Sequence, residues 1–114
     1  MALELSPPEL RRILASRRWK GTLNGELVFT EQGQGLVAQL VRADGSRSTL
    51  QATAGPRGTV TLVLRQRIDN MTDTHTFYGA LTADHRTLKG TLERVKRSGS
   101  NAYEAQGSWH VNAE

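Results

Sequence analysis

The sequence predicts an all-β domain: an eight-stranded antiparallel up-and-down barrel with a short N-terminal α-helix plugging one end. Three observations carry this expectation. In Phe77 to Leu92, FYGALTADHRTLKGTL, Phe77, Gly79 and Leu81 share one face and Leu88, Gly90 and Leu92 match them across a polar turn, a period of two that a strand produces and a helix cannot. Similar short alternating runs, separated by Gly-, Asn- and Asp-bearing turns, fill the chain from Trp19 to Val111. No stretch between them is long enough for a crossover helix, so neighbouring strands must run antiparallel.

The chain divides into a helical segment at 1–18 and a barrel at 19–114, and its 114 residues suit a single core. Ser6-Pro7-Pro8-Glu9 is a helix start, with a capping hydroxyl, proline where a missing N–H costs nothing, and Glu9 completing a capping box. The spacing predicts a helix over 7–18 with Leu10, Ile13 and Leu14 on one face and Leu3 and Leu5 nearby. Such a short helix must be stabilised by docking on an apolar surface.

Trp19 to Leu23 is the first strand, Asn24-Gly25 suggests a type I′ hairpin turn, and Leu27 to Thr30 returns. Strands follow at Leu36 to Arg42, Ser48 to Ala54 and Thr59 to Ile68. A loop over Asp69 to Asp73 precedes the central hairpin, whose second strand continues to about Lys96, and Tyr103 to Val111 closes the fold. A long meander with one apolar face closes to remove its edges. The Lys-Gly-Thr-Leu tetrapeptide at 20–23 recurs at 89–92, which is read as shared barrel geometry. Parity turns Trp19 and Trp109 inward near the plugged end, so the two indoles are expected to be close.

These features, an early Trp after a short helical segment and an eight-stranded meander ending in an aromatic strand, resemble the calycin-type barrels: lipocalins, fatty-acid-binding proteins and avidins. The Trp-x-Gly-x-Leu opening with later aromatic-x-Gly-x-Leu and Leu-x-Gly-x-Leu strands also resembles small bacterial barrels found beside other domains. The resemblance implies a barrel with a lumen; no functional residue is carried over from it.

Composition narrows the function. With 15 Lys+Arg against 11 Asp+Glu the chain is basic, which admits an anionic partner. Nucleic acid is not the expected partner, because no recognition-helix, zinc-finger or aromatic RNA-binding signature accompanies the charge. The absence of cysteine excludes disulfides and thiolate metal sites and is consistent with a cytoplasmic location. No run approaches the ~18 apolar residues of a membrane-spanning helix. Phosphate-loop, Gly-x-Ser-x-Gly and His-Glu-x-x-His motifs are missing, and His75, His85 and His110 fall on separate elements. Neither a catalytic residue, a metal site nor a cofactor is therefore expected, and Asp69 and Asp73 read as solvated loop acids.

The candidate site is the barrel end opposite the helix. Inward parity continued to that rim gives Arg42, Ser48, Gln66, His75, Arg94 and Tyr103 above an apolar layer of Phe29, Leu40, Leu64 and Phe77. Convergent polar groups over an apolar pocket orient an amphiphilic ligand, and an arginine pair suits a carboxylate or phosphate. The expected function is a non-catalytic binding barrel for a small amphiphilic or anionic ligand. The alternatives are an accessory domain with a filled core that binds a protein partner, and, third, a barrel-type cyclase or isomerase.

Overall fold

The computed structural model describes residues 5–114, so the expectation for Leu3 lies outside the described residues. Helix α1 (Pro7–Ala15) leads into β1 (Arg18–Gly21), β2 (Glu26–Gln32), β3 (Gly35–Val41), β4 (Arg47–Ala54), a 3-10 turn at Pro56–Gly58, β5 (Thr59–Ile68), β6 (Met71–Leu81), β7 (Thr87–Ser98) and β8 (Asn101–Ala113). Each strand pairs with its successor and β8 returns to β1, giving the closed antiparallel eight-stranded barrel that the alternation predicts.

Ser6 accepts from the Glu9 N–H and donates to the Glu9 carboxylate at 2.9 Å, closing the first turn. The helix stops at Ala15, three residues short of the expected end, because Ser16 caps it through Arg12 and Ile13 carbonyls and the chain must enter β1 at Arg18. Leu10 and Leu14 are fully buried. The Trp19 indole, itself fully buried, donates from Nε1 to the Leu14 carbonyl at 3.1 Å and pins the helix over the barrel end.

The inward parity holds through the body of the barrel, where Leu27, Ala38, Leu50, Leu62, Leu88 and Val111 are at most 1 % exposed. The two Lys-Gly-Thr-Leu copies share a local purpose. A Cβ on Gly21 would meet the His110 carbonyl and one on Gly90 would meet the Tyr78 carbonyl, so each glycine lets a neighbouring strand pass too close for any side chain.

Four expectations change. Asn24-Gly25 is not a two-residue turn: β1 ends at Gly21 because Thr22 swings to β8, its N–H bonding the His110 carbonyl at 2.9 Å, and a longer connection leads to β2. Gly25 (φ 143°) passes close beside the Val41 carbonyl. Residues 69–73 are not a loop, since Ile68 pairs with Met71 around an Asp69-Asn70 turn in which Asp69 has φ 53°. β8 starts at Asn101, two residues early, with Ser98 paired to Asn101. The indoles are also further apart than expected: Trp19 is opposite Ala113, whereas Trp109 lies two inward positions along β8 and packs edge-on against Phe77 at 5.6 Å.

Strand length grows from 4 residues in β1 to 13 in β8, so the wall is lopsided. β4 pairs with β5 only over Gln51–Ala54, and β1 with β8 only near Val111–Ala113. Above those seams the β5–β8 sheet, with the β7–β8 ribbon at its edge, projects past the barrel end opposite α1. At about 3.4 Å per residue a strand of β8's length is comparable with the 44 Å long axis of the molecule.

Candidate functional site

The candidate cup is the barrel end opposite the helix. Its floor is Leu40 and Leu64, each 8 % exposed, and Phe77 at 6 %; Phe29 lies deeper, at 2 %. These four are the apolar layer expected from parity. Below them the lumen is filled by the core side chains and the helix leucines.

Above the floor, His75 and Arg94 face each other across β6 and β7, as their shared inward parity requires. They converge on Asp73, which sequence reasoning had placed in a loop as a solvated acid. Asp73 is instead a β6 residue, one inward position above His75, and only 6 % exposed. Arg94 grips it with two parallel hydrogen bonds, Nε to Oδ1 at 3.2 Å and Nη2 to Oδ2 at 2.9 Å, and His75 Nε2 lies 3.6 Å from Oδ1. A planar guanidinium fork matches a carboxylate in this way. Among the described residues the Arg94 Nη1 has no protein partner, leaving the solvent-side edge of the fork available.

Arg42 and Ser48 form a separate pair, Nη2 to Oγ at 2.7 Å, with Ser48 opposite Leu40. Arg42 also lines an outer groove of about 650 Å³, with Arg18, Lys20 and Arg47 around Leu23, Val28 and Val41. Gln66 is the cross-strand partner of Asp73 but is exposed. Tyr103, opposite Lys96 on the projecting ribbon, is 58 % exposed. The structure thus gathers Arg94, His75 and the unexpected Asp73, pairs Arg42 with Ser48, and leaves Gln66 and Tyr103 at the margin. The Asp69-Asn70 dipeptide was the available signal for Asp73, because a tight turn there extends β6 and phases Asp73 with His75 and Phe77.

The Arg94 hydrogen bonds hold the Asp73 carboxyl below its usual range against the opposing effect of burial. Burial is the main influence on His75 and lowers its pKa, with Asp73 opposing. Both groups therefore bind protons less readily folded than unfolded, and stability should fall on acidification in two windows: first below the ordinary imidazole value near 6.5, then below the ordinary carboxylate value near 3.9. Urea denaturation across pH 2–8 checks this. His75→Gln should flatten the upper window and Asp73→Asn the lower; unchanged profiles in both variants would contradict the assignment.

Among the described residues, no three His, Asp or Glu side chains gather as a metal site, and no helix is long and apolar enough to cross a membrane. The architecture is consistent with a calycin-like barrel, while comparison with protein-family models, curated proteins and solved structures finds no match to this chain.

Proposed function

We propose that the protein is a non-catalytic binding barrel that holds a small amphiphilic anion in the cup opposite its helix. The carrying observation is the Arg94–Asp73–His75 cluster set directly over Leu40, Leu64 and Phe77. Asp73 does not simply cancel Arg94. It clamps the guanidinium in one orientation, so less side-chain freedom is lost when the open Nη1 edge meets a ligand carboxylate. Lys96 adds positive charge beside the cluster, and His75, with its lowered pKa, serves as a neutral hydrogen-bonding group near pH 7. Because the lower lumen is filled, the fitting ligand is short: a medium-chain or aryl carboxylate rather than a long fatty acid.

Trp109 packs on Phe77 at the cup floor, so its fluorescence reports occupancy. Octanoate should give a saturable change, and the double variant Asp73→Asn/Arg94→Gln should weaken it about tenfold or more, the loss of one charge-assisted hydrogen bond, with the melting transition retained. An equal response to octylamine, or none to octanoate, would reject the reading.

A second reading has its own support. The filled core and the outer groove with Arg18, Lys20, Arg42 and Arg47 around an apolar floor suit an accessory domain that contacts an acidic protein partner through its outer face.

A further inference from the structure

The projecting ribbon leaves one long strand edge open. Over residues 101–108, β8 has β7 on one side and, among the described residues, no strand on the other. The polarity of that edge follows from its last rung. His110 directs its C=O to the Thr22 N–H at 2.9 Å and its N–H to the Thr22 hydroxyl at 3.0 Å, both on the β1 side. The register with β7 is unbroken from Asn101 to Asn112, so the period of two aims the N–H and C=O of Ala102, Glu104, Gln106 and Ser108 along the same open edge. Strand edges of this length are ordinarily protected by lysine, proline or a bulge. This one carries a single charge, Glu104.

We infer that the β8 edge pairs antiparallel with the β8 edge of a second copy of this chain, about a two-fold axis at Ala105. A two-fold interface must be self-complementary, and edge-facing residues can hydrogen-bond only to edge-facing residues, which leaves few registers. Centring on Glu104 sets two carboxylates face to face. Centring on Gln106 drives the partner copy's strand against His110, whose edge Thr22 already occupies. Centring on Tyr103 leaves Ser108 beyond the end of the opposing strand. Only the axis at Ala105 joins Glu104 to Gln106 and Ala102 to Ser108 in both directions.

That register also settles two side-chain oddities on the inner face. Tyr103 is 58 % exposed although it is phased inward, and a Cβ at Gly107 would have nothing within 4 Å. Across the axis Tyr103 of one copy lies opposite Gly107 of the other, an aromatic ring covering a strand glycine. Sheet β5–β8 would then continue from one barrel into the next, with each mouth beside the shared ribbon. The inference is independent of what the cup binds.

Sedimentation equilibrium over a wide concentration range tests it, with two variants. Gln106→Pro removes an edge-facing N–H while sparing the bonds to β7, as proline on an open edge does, and should raise the dimer dissociation constant about tenfold or more, since symmetry counts the loss twice. Ala105→Cys supplies the only thiol in the chain. Opposing non-bonded pairs have Cα atoms about 4.5 Å apart, within disulfide reach, so mild oxidation should yield a covalent dimer, and Glu104→Cys should crosslink less. A wild-type chain that stays monomeric throughout, a dimer indifferent to Gln106→Pro, or preferential crosslinking through Glu104→Cys would each overturn the pairing. Should Gln106→Pro fail to fold, the Ala105→Cys crosslink decides.

Discussion

Trp19→Ala should destabilise the protein by about 3–5 kcal/mol, the range for truncating a large buried aromatic. The indole is fully buried, stands between Leu27 and Ala113 at the strand pair that closes the barrel, and holds α1 through Leu14. Its loss therefore removes packing at the closure and the tether of the helix together. Trp19→Phe separates the two, because it keeps most of the ring volume but leaves the Leu14 carbonyl without its donor, a loss of about 1–3 kcal/mol. Equilibrium urea denaturation reads both, and a cost below about 1 kcal/mol for the alanine variant would mean that the helix is not docked as described.

Gly90→Ala should be nearly as damaging, at about 3 kcal/mol, the upper part of the range for overpacked sites. The added methyl would meet the Tyr78 carbonyl and approach the Gly79 Cα at 2.7 Å. Both are backbone atoms in a sheet and cannot turn aside as a flexible side chain would. Trp109 presses on the same point from inside, its Cζ2 only 2.5 Å from where a Gly79 Cβ would stand, with Nε1 donating to the Tyr78 and Thr91 carbonyls. Gly107→Ala, in the same sheet but with open space at its Cβ, is the control. In dilute solution it should be neutral or raise stability by up to about 1 kcal/mol. Equal losses at both glycines would show that crowding is not the cause.

Most of the architecture was legible because the inward residues of the barrel body are apolar and their neighbours are not. Leu36, Ala38 and Leu40, or Val60, Leu62 and Leu64, reveal strand and facing at once. The site was legible in part for the same reason: extending the count from Phe77 reaches His75, and from Leu92 reaches Arg94. It failed at Asp73 because Thr72-Asp73-Thr74-His75 is polar on both faces, so alternation leaves no hydrophobic trace where the inward residue is itself charged. Parity also reports facing but not height. Tyr103 faces inward above a wall that has already ended, and Trp19 and Trp109 share a facing at different levels, since the slip of register between strands is not written in any one strand's pattern.

The connectivity has a consequence for the order of assembly. Seven of the eight strand pairings join sequence neighbours and can form as local hairpins; β1 with β8 joins the two ends of the barrel and rests on a strand of four residues. Loop closure of that span is the entropically costly step and its reward is small, so the seam is expected to form after the hairpins, late in folding. Damage there should leave the folding rate almost untouched and fall on the unfolding rate. On that expectation the lifetime of the native barrel, more than the speed at which it forms, depends on the short strand that carries Trp19.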